Sequence, residues 1–154
     1  MDNVGLPDED LPDLNSLLCF TVYSAGHAFN KVYKPLLDEL GLTYPQYLVM
    51  VALWAGDDQS VGELGEKLLL ESSTLTPLLK RLEAEGLVSR RRDTADERVV
   101  RITLTDKGRA LKSQATTIPA CILKATGMSI AELRALGEQM ARLRRNLRQA
   151  GMGG

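Results

Sequence analysis

At 154 residues and 16.9 kDa the chain is the size of one compact domain, long enough to bury a sizeable core. Hydrophobic residues at 44% and charged residues at 25% are ordinary for a globular protein, and no apolar run approaches the ~20 residues that span a bilayer. A net charge of −1 and a pI near 5.9 exclude a uniformly basic surface, so a polyanion could be met only by a local patch.

The charge is unevenly spread. Residues 1–15 carry Asp2, Asp8, Glu9, Asp10 and Asp13 with no base, whereas Lys80 to Lys112 holds ten Lys or Arg against six acids. The acidic start has no basic segment ahead of an apolar stretch and does not read as a secretory signal, so the expected location is the cytoplasm. Cys19 and Cys121 stand 102 positions apart and His27 is the only histidine, which argues against a disulfide framework or a zinc site. No metal and no cofactor is expected.

Along the chain, residues 1–12 with Pro7 and Pro12 among acids read as a flexible arm. Leu14 to Leu40 has apolar residues at helical spacing, with a kink or short break expected at Pro35 and a C-cap at Gly41. Thr43-Tyr44-Pro45-Gln46 is a capping box opening a helix to about Ala55. Ser60-Val61-Gly62-Glu63 is a second box, starting a short helix to about Leu70, and a third helix spans about Ser73 to Glu85 before Gly86. From Leu87 to Leu104 two β-rich runs flank the polar turn Asp93 to Glu97, a hairpin. Thr105-Asp106 then caps a long helix that Pro119 should bend, and Ser129 to Glu132 caps a last helix ending near Arg148. The tail Gly151–Gly154 is expected to be disordered. The fold class is therefore mainly α with a small antiparallel β-hairpin: a winged helix-turn-helix over 43–104, flanked by helical segments at 13–42 and 105–150.

In a helix-turn-helix the second helix enters the DNA major groove with its N-terminal side chains toward the bases. Here that helix begins Ser72-Ser73-Thr74-Leu75-Thr76-Pro77 and carries Lys80 and Arg81. Its small hydroxyls can meet phosphates or base edges, and its cations supply backbone attraction. A Ser/Thr run alone is more often a helix cap; the basic hairpin behind it reverses the odds. That ribbon carries Arg90, Arg91, Arg92, Arg98 and Arg101, and an Arg near its tip can enter a narrow minor groove. Asp96, two residues from Arg98, can orient that guanidinium. The bland reading of the ribbon is a charged edge that resists aggregation.

The run Leu87-Val88-Ser89-Arg90, Asp96-Glu97-Arg98-Val99 and Leu104-Thr105-Asp106-Lys107-Gly108 closely resembles the wing of MarR-family regulators, over nearly the whole chain. The resemblance implies a homodimer whose terminal helices (13–42 and 105–150) interleave, reading a pseudo-palindromic double-stranded operator with recognition helices about 34 Å apart. Leu17 to Ala25, with Tyr33 and Tyr44, further resembles the organic-hydroperoxide-sensing (OhrR) branch. There a reactive cysteine, here Cys19, is hydrogen-bonded by tyrosines at the positions of Tyr23, Tyr33 and Tyr44. Two-cysteine members resolve the oxidised thiol with a partner-subunit cysteine, which Cys121 would be. Tyr33 lies fourteen residues after Cys19, roughly 21 Å along a continuous helix, so contact with Cys19 needs an antiparallel partner helix. The thiolate is the nucleophile toward peroxide, and phenol donors favour it. The expected function is a repressor, not an enzyme, with an organic hydroperoxide as inducer and no membrane partner.

Three other readings stand beside it: a MarR-type repressor answering a phenolic or antibiotic-like ligand, a thiol peroxidase with Cys19 as nucleophile, and a helical interaction module that does not bind DNA. His27 and Trp54 read as a helix-face residue and a core anchor. A lone cysteine in an apolar helix is usually a small core residue, and a buried structural role for Cys121 remains open at this point.

Overall fold

The computed structural model describes residue 13 and residues 17–152. The expected flexible arm 1–12, the helix start at Leu14, and Gly153 and Gly154 of the tail lie outside the described residues. The chain divides into two compact units, Met1–Gln114 and Ala115–Gly154.

The first unit forms around one helix that is apolar on nearly every side. This is α2 (Tyr44–Ala55), where Gln46, Tyr47, Val49, Met50 and Leu53 are all buried. Its capping box is complete: Thr43 accepts from Gln46 N at 3.3 Å, and Gln46 Oε1 accepts from Thr43 N at 3.0 Å. Before it runs α1 (Leu18–Asp38), and after it come β1 (Gln59–Ser60), α3 (Val61–Leu68) and α4 (Ser72–Ala84). The hairpin is β2 (Val88–Arg92) and β3 (Val100–Leu104), and α5 (Asp106–Ala115) follows. Leu64 of α3 and Leu75, Leu79 and Leu82 of α4 are almost fully buried with Met50, Leu53, Val88 and Ile102. Each such side chain contributes about 1.5–3 kcal/mol by leaving water.

The second unit holds α6 (Ile118–Thr126) and α7 (Ile130–Met152). Gly127 ends α6 in the left-handed region at φ +62°, and Ser129 Oγ accepts from Glu132 N at 3.1 Å to start α7. None of the described helices is long and apolar enough to cross a membrane.

Several expectations are corrected. α1 is unbroken through Pro35, which is exposed, so the carbonyl its ring leaves unbonded one turn earlier can turn to solvent. α1 also starts at Leu18 and stops at Asp38, inside the expected bounds. The break between α5 and α6 falls at Thr116-Thr117, and Pro119 sits in the first turn of α6, where its missing N–H costs no helical bond. α7 continues past Arg148 through Gly151 to Met152, so the expected disorder of the tail does not hold for Gly151. The hairpin gains a third strand: β1 pairs with β3 (Gln59 opposite Ile102, Ser60 opposite Arg101), giving an antiparallel sheet ordered β1-β3-β2.

The wing signature has a steric reason. Thr105 Oγ1 donates to Gly86 O at 2.6 Å and accepts from Gly108 N at 3.0 Å, which starts α5. A Cβ on Gly108 would stand 2.1 Å from Leu87 O, so only glycine lets α5 approach β2 this closely.

Candidate nucleic-acid interface and cysteine site

α3 and α4 are joined by a turn in which Leu69 takes φ +58° and Leu70 N donates to Gly65 O at 3.0 Å. The N-cap of α4 is Glu71, one residue earlier than expected, and it makes no side-chain cap bond. The hydroxyls of Ser72, Ser73, Thr74 and Thr76 therefore do not cap the helix and have no hydrogen-bond partner among the described residues. That leaves their donors for something outside the chain. Pro77 lies within the same helix, exposed. Lys80 and Arg81, just over two turns from the helix start, are exposed and form no ion pair among the described residues.

An open groove of about 390 Å³ runs between these helix starts and the wing, lined by Ser60, Gly62, Ser72, Thr76, Arg90 and Arg98 among others. Four residues expected to meet DNA thus share one concave surface. Arg98 is 91% exposed, and Asp96 grips it with contacts of 3.1 and 3.2 Å while also accepting from Arg98 N. The Arg98 bonds hold the Asp96 carboxyl below its ordinary range. Arg90 is tied to Glu83 of α4 at 3.3 Å, and Arg92 donates to Glu97 O at 2.8 Å, which closes the tip.

Two wing arginines go elsewhere, and sequence reasoning missed their partner. Asp58, at φ +59°, accepts from Arg101 Nε at 2.8 Å and Arg91 Nη2 at 3.3 Å, while its carbonyl accepts from Arg101 Nη2 at 2.7 Å. These bonds, Arg101's first, lower the Asp58 pKa. Asp57 steadies the turn by accepting from Asp58 N and Leu104 N, both at 2.8 Å.

Cys19 and Cys121 are both free thiols, and both are exposed. α1 is continuous from Leu18 to Asp38, so within one protomer Tyr33 stays roughly 21 Å along the axis from Cys19. The tyrosines separate into two groups. Tyr23 packs edge-on against His27 at 4.5 Å, whereas Tyr33 packs against Tyr44 at 4.9 Å and Tyr47 at 5.9 Å. Tyr47, three residues beyond Tyr44 and one turn along α2, was not singled out from sequence. Burial, then the neighbouring Tyr44 and Tyr47, pushes Tyr33 up to about 12. Beside this cluster lies a cavity of about 370 Å³ lined by Tyr33, Lys34, Leu37, Leu42, Tyr44 and Pro45. Trp54 is half-buried rather than a core anchor, with Nε1 donating to Gly108 O at 2.9 Å.

A helix-turn-helix followed by an arginine-tipped wing, with unspent hydroxyls at the second helix's start, defines a winged-helix DNA-binding protein. The comparisons give the family. Residues 31–115 match the family of transcriptional regulators SarA/Rot. The chain is 52% identical to the HTH-type transcriptional regulator TtmR of Methylorubrum extorquens over 90% of its length and 71% of that protein's. It is 44% identical to the organic hydroperoxide resistance transcriptional regulator of Bacillus subtilis, covering 88% of this chain and 92% of that one. Among solved structures, reduced AbfR bound to DNA superposes with a TM-score of 0.74 at 35% identity, over 87% of this chain and 93% of that one. The disulfide form of AbfR gives 0.60 at 35% identity, over 88% and 90%. The chain belongs to the MarR/SarA-like family of winged-helix transcriptional regulators, and it is a DNA-binding regulator of transcription.

Proposed function

We propose that this regulator is a homodimeric repressor that senses organic hydroperoxides through Cys19 and then releases a pseudo-palindromic operator. The observation that carries the reading is Cys19 itself: a free, exposed thiol on α1, a helix that leaves Leu18, Val22, Tyr23, Phe29 and Val32 exposed. Apolar area of this kind favours cover by another surface. A second protomer supplies that cover through the helical regions 13–42 and 105–150, with α1 antiparallel to its counterpart so that Cys19 meets Tyr33 and Tyr44 of the partner subunit. The name of the Bacillus subtilis relative and the reduced and disulfide forms of AbfR support the same chemistry.

In the proposed reaction the Cys19 thiolate attacks the terminal peroxide oxygen, the O–O bond breaks, and the leaving alkoxide takes a proton to become the alcohol. Sulfur is oxidised to the sulfenic acid and the peroxide is reduced. The Cys121 thiol of the partner subunit then displaces water to form an intersubunit disulfide. The covalent tie shifts the helices that carry the winged units and moves the two recognition helices out of register with their half-sites. The location that suits this role is the cytoplasm, where a reducing thiol pool resets the switch. Bases are read by Ser72, Ser73, Thr74, Thr76 and Pro77, the backbone is held by Lys80, Arg81, Arg90 and Arg92, and Arg98, oriented by Asp96, enters the minor groove.

The test is a non-reducing gel after cumene hydroperoxide treatment of wild type, Cys19→Ser and Cys121→Ser, with operator release followed in parallel. A dimer-sized band lost in both variants supports the two-cysteine switch. Oxidised Cys19 without a crosslink reduces the mechanism to one cysteine and an external thiol. A Cys19→Ser protein that still leaves DNA on peroxide treatment overturns peroxide sensing. The cavity beside Tyr33 and Lys34 favours one second reading, a small phenolic inducer, which predicts ligand-dependent thermal stabilisation and no response to peroxide.

A further inference from the structure

The strand register places Arg91 directly opposite Arg101. Like charges so paired are destabilising, and a hairpin built for phosphate contact would leave both facing solvent. Here neither is free. One carboxylate from outside the hairpin, Asp58, bridges the two guanidinium groups, and Asp93 adds a contact to Arg101 at 3.5 Å. The chain accepts a left-handed backbone at a non-glycine residue to put that carboxylate there, and the Asp57 carboxylate fastens the same turn to β3. Arg91 and Arg101 lie on the sheet face opposite Val88, Ile102 and Leu104, since side chains alternate along a strand. Arg98 at the tip stands out, with the exposed Asp96 as its only partner among the described residues.

We propose that Asp58 is a positioning residue that sets DNA specificity by withholding Arg91 and Arg101 from phosphate. With those charges neutralised, the wing meets DNA through its tip, where shape is read, and not along its arginine-bearing face, where any sequence would do. Asp58 also fixes the tip's reach by anchoring both strands to the turn after α2. This rests on DNA binding by the family fold and is independent of peroxide sensing.

The test uses fluorescence anisotropy at several salt concentrations with two duplexes: one enriched from a random pool by the wild-type protein, and a scrambled duplex of the same composition. Asp58→Asn removes the charge while keeping a residue that tolerates the left-handed region. The variant is expected to bind the scrambled duplex more tightly, with the log–log salt slope steeper by about 2–4 for the dimer, since two arginines are freed in each subunit and each that meets a phosphate adds about 0.9. The ratio of enriched to scrambled affinity is expected to fall about tenfold. Adding Arg91→Gln to Asp58→Asn should reverse about half of the slope change. An unchanged slope, or equal weakening on both duplexes, overturns the proposal and leaves Asp58 a purely structural residue. Arg91→Gln alone gives a reading even if Asp58→Asn does not fold: the scrambled-duplex slope should match wild type, and a slope shallower by about 2 for the dimer overturns the proposal.

Discussion

Replacing Gly108 with alanine tests whether the wing signature is a packing requirement. The added Cβ would lie 2.1 Å from Leu87 O, 3.1 Å from Leu87 C and 3.3 Å from Leu104 Cδ2. An ordinary carbon–oxygen contact is about 3.3 Å or more, so the backbones must part by about 1 Å. Leu87 O also accepts from Thr105 N at 3.1 Å, and Gly108 O accepts from Trp54 Nε1 at 2.9 Å. Losing either bond costs on the order of 1 kcal/mol, more where a group is left unsatisfied, and overpacking adds about 1–3 kcal/mol. Alanine returns about 1 kcal/mol of helix propensity. The net loss is about 1–5 kcal/mol, and at about 2–4 °C per kcal/mol the melting temperature should fall by roughly 2–20 °C. Thermal unfolding followed by circular dichroism measures this. Gly62→Ala, whose Cβ would meet only Ser60 Oγ at 3.8 Å, is the control and should not lower the midpoint. A Gly108→Ala protein melting within about 2 °C of wild type would refute the steric account.

Leu69→Gly should stabilise the protein by about 0.5–1 kcal/mol, because the left-handed conformation costs a leucine about 1–2 kcal/mol and glycine's freedom in the unfolded chain returns part of that; an unchanged urea midpoint counts against strain in this turn. Thr43→Ala should cost about 1 kcal/mol by removing a capping box, read in the same assay. Asp96→Ala should leave the urea midpoint nearly unchanged yet weaken DNA binding several-fold, since an exposed pair adds little to folding but orients Arg98; equal affinity would remove Asp96 from the interface. Tyr33 ionises in the folded protein near 12 instead of 10.0. Its contribution to stability is therefore complete below pH 10 and lost as pH rises through about 12, and the highest tyrosinate absorbance step should vanish in Tyr33→Phe.

The helices and the hairpin were legible because each announces itself locally. Thr43 and Ser60 with their partner Gln46 and Glu63 mark helix starts through side chains three residues apart, and both boxes form. β1 was not legible, because two residues carry no alternation and Gln59 joins the sheet only through Ile102, far along the chain. Pro35 does not break α1 for a related reason: proline removes a hydrogen bond in any helix, but the cost depends on whether solvent can reach the freed carbonyl. At the interface, Arg90 and Arg101 look alike in sequence. Their roles part only when folding gives one Glu83 and the other Asp58, seven and 43 positions away. Tyr23, Tyr33 and Tyr44 were marked as a set by family resemblance, whereas within a protomer the spatial neighbours are Tyr33, Tyr44 and Tyr47.

Trp54, the chain's single tryptophan, packs edge-on against Tyr47 at 6.5 Å, and Tyr47 reaches Tyr33 at 5.9 Å. Its indole N–H ends on Gly108 O at the root of the wing. Light absorbed by these tyrosines is therefore passed to one emitter whose polar end reads the junction of α5 and β2. Without any label, the ratio of tyrosine to tryptophan emission reports the spacing of α1 and α2, and the tryptophan's colour reports the bond to Gly108, so two parts of the molecule can be followed in a single cuvette during unfolding or DNA binding.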